Sequence, residues 1–187
     1  MRTIEEEKWN TITHAVALGM TLTSLLLTTT LAGKLLSGAL ATTFLLSVLY
    51  HSAGESSGKN LFRMLDMASI HVTIGATGVS FCVLTGNNWW PVCLLPCFCS
   101  FVYTIKYFGT TRLERLMVPL CISSGIISLV VFALGEPQFE CLSWFLLGVS
   151  AYLLGLIFYI YDGNKWYHTI WHLFVVIAAS VHIRFLW

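Results

Sequence analysis

The chain has 187 residues, of which 57% are hydrophobic and 10% are charged. Soluble domains carry roughly 25% charged residues, so this composition excludes an ordinary soluble domain and indicates a protein that crosses a membrane several times. The formal net charge of +1 gives no indication of a nucleic-acid partner. No group of basic residues is dense enough in the sequence to indicate a patch for lipid headgroups.

The first apolar stretch is expected to stay in the mature protein. Three glutamates, Glu5, Glu6 and Glu7, precede it, whereas a secretory signal begins with positive charge. No small-residue cleavage site follows a short apolar core. We therefore count this stretch as the first membrane span.

Seven stretches of mainly apolar residues follow one another along the chain, each long enough to cross a bilayer as a helix. They cover residues 12–33, 35–51, 64–85, 90–108, 116–135, 139–161 and 167–186. In this division Gly33 and Lys34 form the first break, and threonines 28–30 lie inside the first span, where their hydroxyls can bond to carbonyls of their own helix. No linker is long enough to separate two domains, so we predict one all-α domain over residues 1–187, a bundle of seven transmembrane helices.

The positions of the lysines and arginines predict how this bundle is oriented. Most of them fall on one side of the predicted spans: Arg2, Lys8, Lys59, Arg63, Lys106, Arg112, Arg115 and Lys165. Lys34 and Arg184 fall on the other side. Because cytoplasmic loops carry the excess of positive charge, we predict a cytoplasmic N-terminus and, with an odd number of spans, a C-terminus outside.

Two histidines, His168 and His172, stand four residues apart where the last span begins. At that spacing both rings project from one helix face, about 6 Å apart along the axis, so they can share one metal ion. The alternative is that both rings only extend toward the lipid headgroups.

The predicted topology brings further polar residues to the same depth as these histidines. Ser47 and His51 end the second span, and Asp66 lies near the start of the third. Ionisable side chains inside a membrane span cost about 2.5 to 3.5 kcal/mol each, so their convergence needs a reason. A shared zinc supplies one, because three imidazoles fill three positions of a tetrahedral ion and leave the fourth for water.

Three sequence motifs carry a resemblance to a known family. Residues 47–51 (SVLYH), 65–66 (LD) and 168–176 (HTIWHLFVV), together with the opening segment 5–14, resemble the motifs of the hemolysin III proteins. These form the bacterial branch of the progestin and adipoQ receptor family, within a wider group that contains the alkaline ceramidases.

The resemblance implies a site and a location. It implies that His51, His168 and His172 bind zinc, that Asp66 holds the water on the zinc, and that Ser47 lies close by. It also implies an integral protein of the bacterial inner membrane.

Two classes of function are then expected. In the first, the protein is a zinc hydrolase of a lipid amide or ester, with Asp66 accepting a proton from water. In the second, the zinc is a structural clamp in a receptor-like or membrane-homeostasis protein. A pore-forming hemolysin is the remaining alternative. The expected partner is membrane lipid, and the sequence leaves a homo-oligomer open.

The other histidines and the cysteines have weaker indications of function. His14 either hydrogen-bonds near the site or faces the headgroups. His71 is expected to pack or hydrogen-bond, because it points about 140° away from Asp66 around the helix. His182 is expected to be a buried hydrogen-bonding residue between helices. The six cysteines leave open a disulfide or a thiolate metal site near Cys93 and Cys97, although no CxxC pair is present.

Overall fold

A computed structural model describes residues 2–186, and within that range the chain forms α-helices and no strand. The helices are α1 (Ile4–Leu27), α2 (Leu31–Ser52), α3 (Lys59–Leu84), α4 (Trp90–Lys106), α5 (Thr111–Leu134), α6 (Phe139–Ile160) and α7 (Tyr167–Leu186). All of these except α4 are long and apolar enough to cross a membrane. The prediction of an all-α membrane protein is confirmed, whereas a crossing by α4 and the orientation of the termini stay predictions.

The first helix begins at Ile4, well before the predicted span at residue 12. Its start is fixed by a capping box, in which the Thr3 hydroxyl accepts a hydrogen bond from the Glu6 N–H and the Glu6 carboxylate accepts one from the Thr3 N–H. This arrangement satisfies backbone donors that have no partner within the helix. Glu5, Glu6 and Glu7 therefore belong to the first turns of α1 and do not precede it.

The first break in the chain was also predicted wrongly. It lies at threonines 28–30, between the end of α1 at Leu27 and the start of α2 at Leu31, and not at Gly33 and Lys34. The Thr30 hydroxyl caps α2 by accepting a hydrogen bond from the Gly33 N–H, at 3.0 Å. Threonine is a favoured N-cap residue, so its side chain starts a helix here.

The helices pack in a bundle in which α3 contacts α2, α4, α5 and α7. Aromatic side chains fill the half of the bundle that lies away from His51: the Phe81 ring meets the ring of Phe132 at 5.5 Å and that of Phe145 at 4.9 Å, edge to face. Such edge-to-face pairs are a favourable geometry for buried aromatic rings. This core holds α3 against α5 and α6.

His71 and His182 form hydrogen bonds between helices, as predicted. Nε2 of His71 lies 3.0 Å from the Thr104 hydroxyl, and Nε2 of His182 lies 3.1 Å from the Phe145 carbonyl oxygen. Both side chains are buried. Gly148 makes room for His182, since a Cβ at that position would overlap the imidazole ring.

The cysteines form neither of the sites that the sequence left open. All six are free thiols. Among residues 2–186, the group of histidines, cysteines and carboxylates placed to share a metal ion consists of His51, His168 and His172, and it contains no cysteine. Four of the cysteines are buried and act as small side chains of the interior: Cys82, Cys93, Cys97 and Cys141.

Candidate metal centre

The three predicted zinc ligands come together at one end of the bundle. His51 lies in the last turn of α2, and His168 and His172 lie in the first two turns of α7. One ring nitrogen of each lies within 4.8 Å of one ring nitrogen of each of the others. Helices α2 and α7 thus bring together residues that are more than a hundred positions apart in the chain, and the resulting group could hold one metal ion.

His51 is fixed by a carboxylate from α1. Its Nδ1 atom lies 2.5 Å from Oε2 of Glu7, whose other carboxylate oxygen lies 3.6 Å from Nζ of Lys59. The Nε2 atom of His51 is buried and has no hydrogen-bond partner in the described part of the chain. A buried polar atom without a partner is costly, and a metal ion is a partner that would remove this cost.

His172 is also held by α1, through a backbone carbonyl and a hydroxyl. Its Nδ1 atom lies 3.3 Å from the carbonyl oxygen of Asn10 and 3.4 Å from the hydroxyl of Thr13. The side chain is almost wholly buried, with 2% of its surface exposed. The carbonyl oxygen can only accept, so it favours the tautomer of His172 with the proton on Nδ1.

His168 contacts an ion pair between Arg2, which precedes α1, and Asp162, which lies in the loop before α7. Its Nδ1 atom lies 3.4 Å from Oδ1 of Asp162 and 2.9 Å from Nη2 of Arg2, and Arg2 and Asp162 are themselves 2.5 Å apart. Burial raises the pKa of Asp162, but hydrogen bonds to His168 and Arg2 outweigh it and hold that pKa below its usual range. An ionised Asp162 can accept a hydrogen bond from Nδ1–H of a metal-bound ring, which arginine cannot do.

These contacts fit a metal ion held by three imidazoles. His51 and His172 have their Nδ1 atoms next to an acceptor, and Nδ1 of His168 lies between Asp162 and Arg2, which leaves Nε2 as the atom for a metal. Histidine ligands of metals almost always donate their second ring N–H to a carboxylate or a carbonyl, and this contact fixes the tautomer and the orientation of the ring. Three such imidazoles are the protein ligands of one class of catalytic zinc site.

Ser47 and Asp66 lie beside this group and are not members of it. Ser47 is buried one turn before His51, and its hydroxyl lies 2.7 Å from Nδ1 of His14. The Asp66 carboxyl group, on α3, interacts with the same hydroxyl. The His14 ring stacks on His172, with centroids 3.6 Å apart and planes 4° from parallel. The structure therefore places His14 next to the site, which was one of the two expectations for it.

The outer partners of the histidines were not predicted from the sequence. They are Arg2, Glu7, Asn10 and Asp162. The sequence of α1 does contain an indication of these partners, because Glu7, Asn10 and His14 recur at helical spacing and so share one face. Polar residues repeated on one face of a membrane helix indicate a face turned toward the bundle interior.

Replacement of Glu7 tests this outer shell. The variant Glu7→Gln should bind zinc about 10 to 100 times more weakly, the usual cost of losing an outer hydrogen-bond partner of a metal ligand. Glu5→Gln is the matched control, since Glu5 is exposed on the same turn of α1. Competition with a zinc-binding dye measures both affinities, and equal affinities would show that Glu7 does not support the site.

Comparison with known proteins identifies the family of this chain. The sequence model of the family described as "Haemolysin-III related" matches residues 2–183. The chain is 26% identical to "Hemolysin-3" of Bacillus cereus, an alignment that covers 95% of this chain and 89% of the relative. It is 25% identical to a "Hemolysin-3 homolog" of Bacillus subtilis (strain 168), over 94% of this chain and 90% of the relative.

Together with the membrane-spanning helices, these bacterial relatives identify an integral protein of the bacterial inner membrane. The chain belongs to the Haemolysin-III related family.

Proposed function

We propose that this protein is a zinc-dependent hydrolase that cleaves an amide or ester bond of a membrane lipid. The observation that supports this proposal most is the group of three converging imidazoles, each with its Nδ1 atom engaged by an outer partner. Structural zinc sites are usually closed by four protein ligands, whereas catalytic sites keep one position open. Three histidines with a nearby carboxylate that is not a ligand match the catalytic pattern.

Bound zinc would supply Lewis-acid chemistry, making water a stronger acid and stabilising negative charge on a carbonyl oxygen. The residues of the chain would supply the rest. Asp66 would accept the proton of the attacking water, the role of a general base.

Ser47 would orient Asp66 for this role as general base. A serine hydroxyl has a single proton to donate, and it is in contact with both His14 and Asp66. If Nδ1–H of His14 donates to the Ser47 oxygen, the Ser47 hydroxyl is free to donate to Asp66. That arrangement orients the Asp66 carboxyl group.

A groove between α1 and α7 supports a lipid substrate. It has a volume of about 630 Å³ and its lining includes Ala17, Phe44, Val176 and Ile183. It begins about one helical turn from His14 and His172, on the side away from the ion pair of Arg2. Its lining is mainly apolar, so an acyl chain could lie in it while the polar linkage of the lipid reaches the histidines.

A structural role for zinc is the second candidate. The histidines and their partners tie α1, α2 and α7 together, so a bound ion would also stabilise the bundle. Hemolysis, the activity in the relatives' names, is less well supported. It would require a polar path through the bundle, and Phe81, Phe132 and Phe145 fill the half that lies away from the three clustered histidines, in the part of the chain that the structure describes.

The proposal is tested with purified protein and acylated lipids. Zinc-loaded protein in detergent is incubated with ceramides and with ester lipids, and released fatty acid is measured by mass spectrometry. We expect slow release that stops after the zinc is removed with a chelator and returns when zinc is added. If bound zinc is confirmed but neither class of lipid is cleaved, the structural role becomes the better account.

A further inference from the structure

Three cations from α3, α4 and α5 lie around two neighbouring aromatic rings. The guanidinium carbon of Arg112 and Nζ of Lys106 each lie 5.5 Å from the centre of the Tyr107 ring. The guanidinium carbon of Arg63 lies 6.0 Å from the centre of the Phe108 ring. The fold thus builds a basic patch, Arg63, Lys106 and Arg112, that the spacing of these residues in the sequence did not show.

The charge of this basic patch is not balanced by the protein. In the described part of the chain, none of its three cations forms an ion pair, and Glu114, the acidic residue in the first turn of α5, does not pair with them. Arg112 also lies in the first turn of α5, where the helix dipole favours a negative charge. A bound anion would therefore be attracted by the side chains and by the end of the helix.

An apolar trough runs along α4 from this basic patch. Its volume is about 370 Å³, and it is lined by Phe98, Cys99, Val102, Tyr103, Lys106 and Tyr107. Phe98 is 64% exposed and Val102 is 45% exposed, so the trough lies on a face of α4 that is open to lipid. The Tyr103 hydroxyl is buried beside the trough without a hydrogen-bond partner in the described chain.

The length of α4 places the basic patch near the headgroups of the membrane. The helix has 17 residues and is about 26 Å long, slightly less than the roughly 30 Å of a hydrocarbon core. A helix of this length that crosses the core, as predicted for α4, has both ends at the boundary with the headgroups. Lys106 is the last residue of α4, so a phosphate bound there would have its acyl chain alongside the trough.

We propose that the basic patch and the trough together bind one anionic phospholipid. The phosphate lies against Lys106 and Arg112, with Arg63 adding to the positive potential, and one acyl chain follows Phe98 and Val102. An inorganic anion would use only the charges, whereas a phospholipid uses both the charges and the apolar trough. The site is separate from the histidine group and does not depend on the proposed hydrolase activity.

Native mass spectrometry of the detergent-purified full chain tests this site with phosphatidylglycerol, phosphatidylcholine and glycerol phosphate. Wild-type protein should bind phosphatidylglycerol in preference to phosphatidylcholine and should not bind glycerol phosphate measurably. The double variant Lys106→Gln with Arg112→Gln should bind phosphatidylglycerol about 30 times more weakly, given the usual contribution of each cation near an anionic lipid. The control, Lys8→Gln with Lys165→Gln, removes two exposed charges outside the basic patch and should bind like wild type.

The variant Val102→Trp tests the trough while leaving every charge in place. It should also weaken phosphatidylglycerol binding, because the larger side chain fills the space assigned to the acyl chain. Unchanged binding by this variant would overturn the phospholipid site, and so would equal losses in the two charge variants or binding of glycerol phosphate as tight as that of the lipid. Unfolding temperatures measured without lipid verify that each variant is folded.

Discussion

The variant His172→Ala should lose bound zinc together with the stability that zinc provides. His172 is one of three converging ligands, so its removal should weaken zinc binding by more than the 10 to 100-fold typical of an outer partner. At free zinc about 1,000 times above its dissociation constant, wild type gains about 4 kcal/mol of stability from binding. The variant should gain almost none, as measured by thermal unfolding with and without zinc and by metal analysis of the purified protein.

His182→Ala is the matched control for this variant. His182 lies on the same helix and is as deeply buried, with 1% of its surface exposed against 2% for His172. Its loss should lower stability through packing and through the hydrogen bond to Phe145, yet leave zinc stabilisation unchanged. If His172→Ala still binds one zinc per chain as tightly as wild type, these histidines are not the ligands.

The variant Asp66→Asn should keep zinc and lose catalysis. Asparagine preserves the volume of the side chain and a hydrogen-bonding group but cannot accept the proton of water. Loss of general-base help typically costs 10² to 10⁴ in rate, and we expect fatty-acid release to fall by that factor. Metal analysis and the release assay are made on the same preparation, so a loss of zinc cannot be mistaken for a loss of catalysis.

Substitutions of two serines distinguish the effect of Asp66 orientation on the rate from the effect of packing around Asp66. Ser47→Ala removes the hydroxyl that contacts the carboxyl group, and it should slow release to a smaller extent than Asp66→Asn. Ser69→Ala removes a buried hydroxyl that bonds to the backbone carbonyl of Asp66, at 2.7 Å, and to no other group in the described chain, and it should leave the rate near wild type. Asp66→Asn protein that cleaves lipid as fast as wild type would rule out the proposed mechanism.

The sequence predicted the helices better than their ends. Long apolar runs specify membrane helices because the bilayer leaves few other structures for a spanning backbone. The start of α1 was missed because its first turns are acidic, although Thr3 and Glu6 have the spacing of a capping box. The end of α1 was missed because threonine is tolerated inside a membrane helix and also caps one, and a count of apolar residues does not separate these roles.

The candidate site, too, could be predicted from the sequence only in part. His51, His168 and His172 could be grouped from sequence because they lie at the ends of predicted spans, where topology sets their depth. Glu7 and Asp162 could not be assigned to them, since depth alone does not say which side chain faces which ring. That information depends on the rotation of α1 and on the loop before α7, which packing decides.

The contacts of His168 and His172 with α1 have a consequence for biogenesis. Glu7 and Asn10 lie in α1 and are made well before His168 and His172, which lie in α7. The ring nitrogens of the site can therefore meet only after α7 has entered the membrane. A metal held by these histidines would bind late in biogenesis, and until α7 packs against α1 the polar face of α1 lies in the bilayer without these partners.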